Sequence, residues 1–133
     1  MLQLENDIKE RAENIMIADL MRNDLSKICV DQSIREDAIC ELMTLSRVHH
    51  LVSHISGVLR DGVSLAEIFM ALFPSGSITG APKVAAMNAI AETETVGRGP
   101  YCGAIGYIDD CGNADFFVGR WPPDVGRCAR QQL

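Results

Sequence analysis

A run of small residues, hydroxyls and prolines at residues 73–83 (FPSGSITGAPK) constrains this chain more than any other segment. Small residues let a ligand approach the backbone closely, and backbone N–H groups at a helix start favour an anion. Pro82 predicts a helix start, and the apolar segment after it predicts a helix to about Glu94. Because the same composition is typical of an ordinary loop, an anion cradle and a loop both stay open at this point.

The composition of the chain argues against several classes of function. A chain of 133 residues forms one domain at most, and its net charge of −6 argues against nucleic acid and against an anionic membrane surface. No apolar run approaches the roughly 20 residues that span a bilayer, and the N-terminus has no signal pattern. Five cysteines with no C-x-x-C spacing predict free thiols and hence a cytoplasmic protein.

Apolar spacing predicts the first half of the chain. A helix is expected over residues 5–21, ending at the Arg-Asn-Asp of residues 22–24. Residues 31–45 favour a second helix by propensity, whereas residues 47–55 alternate weakly and predict a strand. Ser64 and Glu67 form a capping box for a short helix that ends near Leu72.

The last third of the chain predicts a hairpin. Residues 97–100 (GRGP) break the helix that starts at Pro82. Residues 101–108 and 114–118 then predict two strands, joined by the Asp-Asp-Cys-Gly-Asn turn.

Two clusters of residues are candidates for chemistry by spacing alone. Glu10 and Glu13 stand three apart on the first helix, so their carboxylates share one side and are candidates for Mg²⁺, although glutamates among lysines and arginines are also typical of a solvated face. His49 and His50 point to opposite faces of a strand, which argues against zinc and favours a single histidine in a hydrogen-bonding or proton-transfer role. The glycine spacing of residues 76–80 matches neither a P-loop nor a dinucleotide motif.

Three blocks, taken in order, resemble the chorismate-utilising enzymes, the family of anthranilate synthase, aminodeoxychorismate synthase and the isochorismate and salicylate synthases. They are residues 9–25 (KERAENIMIADLMRNDL), residues 48–53 (VHHLVS), and residues 73–83 continuing to residues 99–107 (GPYCGAIGY). The resemblance implies an α+β fold, here a partial chorismate-binding sandwich of antiparallel sheets with outer helices. Exposed apolar surface and open sheet edges are expected if the piece stands alone.

The resemblance also implies roles for individual residues. The Mg²⁺ ligand falls on Glu13 with Glu10 as its partner, and the ring-contacting histidine falls on His50. The residues that hold substrate carboxylate and ring are Ser77, Thr79, Gly80 and Tyr101. Chorismate is a dianion, so Mg²⁺ would screen one carboxylate while hydroxyls and backbone N–H groups bind the other.

Within the family, residues 77–83 (SITGAPK) followed by Tyr101-Cys102-Gly103 resemble component I of aminodeoxychorismate synthase more than anthranilate synthase. That resemblance implies a transferase that replaces the 4-hydroxyl of chorismate with an amino group on the route to 4-aminobenzoate and folate. A glutamine amidotransferase subunit or domain would supply the ammonia. Anthranilate synthase or an isochorismate-type enzyme is one alternative, and a non-catalytic binding module is another.

The chain also departs from the family pattern. The family's catalytic half is several hundred residues long, so residues 1–118 are expected to be its central piece, without turnover alone. Residues 119–133 match nothing in the family, and Trp121 stands where the family has a substrate-binding arginine. From roughly Phe117 onward we expect a disordered or frame-shifted tail, or the end of a truncated gene.

Overall fold

A computed structural model describes residues 7–98, 101–119 and 129–132. It divides into two compact units, Met1–Leu72 and Phe73–Leu133. The first unit contains helix α1 (Ile8–Ser26), strands β1 (Arg35–Thr44) and β2 (His49–Ser56), and helix α2 (Leu65–Leu72). The second contains helices α3 (Gly76–Thr79) and α4 (Lys83–Thr93), and strands β3 (Ala104–Ile108), β4 (Ala114–Val118) and β5 (Ala129–Gln132).

Helix α1 starts directly after its N-cap residue, Asp7, and ends later than the sequence predicts. Asp7 Oδ1 accepts hydrogen bonds from the backbone N–H groups of Lys9 (2.9 Å) and Glu10 (3.3 Å). The predicted end at residues 22–24 is wrong, because the helix continues to Ser26. Asp24 is only 2 % exposed and binds Lys27 Nζ at 2.7 Å, so it lies inside the last turn.

The apolar residues that predict helix α1 are not the residues it buries. Ile8, Ile15 and Met16 are exposed, while Asn14 and Ala18 lie on the buried side. Asn14 Nδ2 donates to the backbone oxygen of Leu51 in β2 at 3.0 Å. The helix therefore meets the sheet through a polar contact and leaves an apolar stripe open.

The helix predicted over residues 31–45 is wrong, because residues 35–44 form strand β1. This strand pairs antiparallel with β2 from Arg35↔Ser56 to Thr44↔His49. Its two irregularities insert extra residues into β1 only, and Cys40 takes a positive φ of 52° there. Pairing with β2 overrides the helix propensity of its Glu, Ala and Met residues.

Short-range signals were correct elsewhere. The capping box at Ser64 is confirmed, since its backbone N–H donates to Glu67 Oε2 at 2.8 Å while Glu67 N–H donates to Ser64 Oγ at 3.3 Å. Pro82 stands at the N-cap of α4, which ends at Thr93 as the sequence predicts. Residues 97–100 were predicted to end this helix, and two of them, Gly99 and Pro100, lie outside the described residues.

The second unit is organised by the predicted hairpin, which is confirmed. Strands β3 and β4 pair antiparallel, with Gly106 opposite Phe116, and β5 adds to β4 from within the sequence predicted as a non-matching tail. The turn is held by Asp109, which accepts from the backbone and the side chain of Asn113 at 2.8 and 2.7 Å. Those hydrogen bonds lower the pKa of the Asp109 carboxyl.

The chain thus has helices and two small antiparallel sheets, and the α+β prediction is confirmed. Within the described residues, no helix is long and apolar enough to cross a membrane. The described cysteines are free thiols, and burial raises the pKa of the Cys29 thiol. Cys128 lies outside the described residues. Many large apolar side chains are exposed, among them Ile8, Met70, Val84 and Val96.

Candidate functional site

The second unit contains a cavity of about 430 Å³. It lies between the Gly-rich run (residues 73–83), the end of α4 and the segment before β3. Its lining is mostly apolar, with Ile78, Met87 and Ile90 along one side. Polar groups enter from Thr79, Glu94, Arg98, Tyr101 and Cys102. A mainly apolar cavity with a few polar groups is the usual form of a small-molecule site.

The cavity brings together two of the predicted substrate-binding residues, Thr79 and Tyr101. Thr79 Oγ1 donates to the backbone oxygen of Ser75 at 3.2 Å, so this hydroxyl is fixed at the end of α3. Tyr101 is 47 % exposed, and its N–H donates to the backbone oxygen of Arg98 at 3.3 Å. The two side chains stand on different segments, which only the fold places around one space.

Ser77 and Gly80 belong to the same run but are outside the cavity lining. Ser77 Oγ is 3.0 Å from Ser75 Oγ, and Ser75 is only 1 % exposed, so this pair of hydroxyls is largely shielded. Gly80 ends α3 with a φ of +102°, which L side chains rarely adopt. The segment predicted to bind an anion therefore forms the short helix α3, which ends at Gly80.

Arg98 and Glu94 line the cavity, and neither was predicted from the sequence as a site residue. Arg98 donates to the Glu94 carboxylate twice, from Nε at 2.7 Å and from Nη2 at 2.5 Å. This pairing lowers the pKa of Glu94 and raises that of Arg98. The i, i+4 spacing of Glu and Arg was the available signal, but it predicts an ordinary surface pair.

Cys102 is one of the residues that line the cavity. Its side chain is buried and lines the cavity together with Arg98. Its backbone N–H donates to the oxygen of Gly119 at 2.6 Å, and Gly119 N–H returns a bond to Gly103 at 2.8 Å. The cavity wall is thus a direct extension of the β3–β4 ladder.

The predicted metal residues lie in the first unit. Glu10 and Glu13 are both exposed on α1, three residues apart. Among the residues that the structure describes, no group of three or more His, Cys, Asp or Glu side chains could hold a metal ion. Two carboxylates still fit Mg²⁺, which takes one or two from the protein and fills its other positions with water and substrate oxygens.

His50 lies in β2 on the side of the sheet that faces away from Ser53. Ser53 Oγ bonds to Asn14 of α1, so the Ser53 face is the one that α1 covers. Side chains alternate along β2, whose pairing has no inserted residue, and His50 is therefore on the other face. The first unit does not bring His50 to the helix face that carries Glu13.

Comparison with known proteins fixes the family. The model of the chorismate binding enzyme family matches residues 1–119. The chain belongs to this family. Aminodeoxychorismate synthase component 1 of Escherichia coli is 46 % identical over 114 residues, and anthranilate synthase component 1 of Mycobacterium bovis is 44 % identical over 116 residues. These matches cover 86 and 87 % of this chain.

The structural comparison agrees. The crystal structure of anthranilate synthase component I from Streptococcus pneumoniae is similar with a TM-score of 0.79 and 38 % identity, over 88 % of this chain and 27 % of that one. The curated relatives are matched over 25 % and 22 % of their own length. The chain therefore spans about a quarter of the family members it resembles.

Proposed function

We propose that this chain is part of a chorismate-utilising synthase of the aminodeoxychorismate type. The whole protein would replace the 4-hydroxyl of chorismate with an amino group from ammonia, toward 4-aminobenzoate and folate. The observation that carries the proposal is the cavity that joins Thr79 to Tyr101, in a chain whose family binds chorismate. Residues 77–83 and Cys102 favour this member of the family by their resemblance.

The chemistry of chorismate fits the groups near this cavity. Its mostly apolar lining is suited to the ring, and Tyr101, which is 47 % exposed, lines the same cavity. One substrate carboxylate is proposed to accept from the Ser77 hydroxyl and from the Thr79 hydroxyl, once the latter has rotated away from the Ser75 oxygen to which it donates. Such donors bind an anion without a full opposing charge.

Mg²⁺ is proposed as the cofactor, with Glu13 as its ligand and Glu10 as a second carboxylate. When bound, the ion neutralises a substrate carboxylate and polarises it. His50 is proposed to contact the substrate ring and to exchange a proton, as a neutral or charged imidazole can near neutral pH. Glu13→Gln retains the shape of the side chain and removes the charge that the ion needs.

The second candidate is anthranilate synthase activity. It is favoured by the 44 % identity of the Mycobacterium bovis relative and by the Streptococcus pneumoniae structure. The names component 1 and component I describe subunits, so a glutamine amidotransferase that supplies ammonia is proposed as the partner for either activity. The cytoplasm is proposed as the compartment, from the free thiols.

A chimera separates the two activities. Residues 1–118 of this chain would replace the matching quarter of Escherichia coli aminodeoxychorismate synthase component 1, and a second chimera would be made in an anthranilate synthase component 1. We expect the first chimera to form aminodeoxychorismate from chorismate and ammonia with Mg²⁺, and to support growth without 4-aminobenzoate. Anthranilate as its main product would overturn the subfamily proposal.

The isolated chain tests the binding module alternative. Isothermal titration with chorismate and Mg²⁺ would compare the wild type with Glu13→Ala, and Glu41→Ala serves as a control because Glu41 is another exposed glutamate, on β1. The proposal expects weaker binding only in Glu13→Ala. Equal binding in all three proteins would support a non-catalytic module.

A further inference from the structure

An arginine beside a site for a dianion is normally expected to bind a substrate carboxylate. The surroundings of Arg98 point elsewhere. Two of its nitrogens already donate to the Glu94 carboxylate. Its charge is therefore matched within the protein before any ligand arrives.

The other neighbour of Arg98 is the ring of Tyr101. The guanidinium carbon lies 6.0 Å from the ring centroid, at the outer limit of a cation–π contact. The Tyr101 N–H also donates to the Arg98 backbone oxygen at 3.3 Å. Both the side chain and the main chain of Arg98 thus define where Tyr101 stands.

Resting on the proposed function, we propose that Arg98 is a positioning residue for Tyr101, held in place by Glu94. Glu94 is the C-cap residue of α4, so the helix end fixes the carboxylate, the carboxylate fixes the guanidinium, and the guanidinium fixes the ring. The substrate contact is made by Tyr101, and Arg98 acts through it.

The positioning step is tested without chorismate by NMR of ring-labelled tyrosine. The chain has two tyrosines, Tyr101 and Tyr107, and Tyr107 on β3 is an internal control. We expect Arg98→Gln to shift and broaden the ring resonances of Tyr101 and to leave those of Tyr107 in place. Arg47→Gln, at an exposed arginine between β1 and β2, matches the charge change and should move neither.

Two further variants keep the test decisive if Arg98→Gln fails to fold. Glu94→Gln retains the arginine but removes its anchor, and it should also displace Tyr101. Arg98→Lys keeps the charge but cannot make the two-nitrogen pairing, so it should restore the Tyr101 spectrum only in part. Full restoration by lysine, or an unmoved Tyr101 in a folded Glu94→Gln protein, would overturn the proposal.

Chorismate titration then tests whether Arg98 acts through Tyr101. Arg98→Gln should weaken chorismate binding by roughly two- to five-fold in the wild type, the range of an exposed cation–π contact. In a Tyr101→Ala background the same substitution should have no effect. An equal loss in both backgrounds would mean that Arg98 binds substrate directly. No binding by the wild type would refute the proposed function, while the tyrosine spectra would still decide the positioning role.

Discussion

A methyl group added at Gly106 should destabilise the β3–β4 hairpin, from which one wall of the cavity extends. It lies opposite Phe116 in the β3–β4 ladder. A Cβ at Gly106 would be 2.0 Å from the backbone oxygen of Asp115, 2.5 Å from Phe116 Cδ1 and 2.7 Å from Phe116 Cα. Real Cβ contacts stay above 3.0 Å, so the two strands would have to separate by about 1 Å.

The cost follows from which atoms obstruct the methyl group. A flexible side chain could rotate away, but two of the three atoms are backbone of the paired strand. Overpacking costs about 1–3 kcal/mol, and we expect Gly106→Ala to reach or exceed the upper value. A loss of about 3 kcal/mol lowers the melting temperature of a chain of this size by roughly 10 °C.

Urea unfolding followed by circular dichroism would measure this loss. Gly97→Ala is the matched control, because an added Cβ meets nothing within 4 Å there and φ is not in the left-handed region. Gly97→Ala should be neutral or stabilise by about 0.4–1 kcal/mol through the unfolded state. If Gly106→Ala unfolds at the wild-type midpoint, the close approach of β3 to Phe116 is not a feature of the folded protein.

Three further predictions concern the first unit and the metal. Glu13→Gln in the active chimera should raise the Mg²⁺ concentration needed for half-maximal rate by about ten-fold or more, as the loss of a metal ligand or of its supporting group commonly does. Glu41→Gln should leave that concentration unchanged. Equal Mg²⁺ requirements in the two variants would refute Glu13 as a ligand. Hydrogen bonds from the backbone N–H and the hydroxyl of Ser64 lower the pKa of Glu67. The stabilising effect of the Glu67 carboxylate is therefore complete above the unfolded pKa of about 4.3 and is lost as pH falls through the lower folded pKa. The difference in urea midpoint between wild type and Glu67→Gln should shrink over that acid range and stay constant near pH 7. Asn14→Leu removes the partner of Ser53 and of the Leu51 oxygen and should cost about 1–3 kcal/mol in urea unfolding, while a cost near zero would mean that water replaces it.

The elements predicted correctly from sequence are those whose cause is local. The Ser64 capping box, the helix start at Pro82 and the Asp109–Asn113 turn each depend on residues within four positions. The family resemblance was equally accessible, since its motifs are contiguous. These signals depend on no tertiary contact.

The failures share the opposite cause. Strand β1 is a strand because β2 is beside it, and no window of residues 31–45 contains that partner. The exposure of Ile8 and Ile15 depends on Asn14 being the residue that meets the sheet. Arg98 is an exception, because its contacts with Glu94 and Tyr101 are local, but the i, i+4 spacing of Glu and Arg is typical of a surface pair and gives no sign of a cavity.

The charges around the proposed site determine which group must meet the substrate's anionic ends. Among the described residues that line the cavity, the single positive side chain, Arg98, is neutralised by the single negative one, Glu94. The lining of the cavity therefore carries little net charge. Under the proposed function, any coupling between Mg²⁺ and chorismate is reciprocal, since by linkage each changes the affinity for the other by the same factor. Under the proposed function, the positive charge that attracts an anionic substrate would therefore come from Mg²⁺ and not from the lining of this cavity.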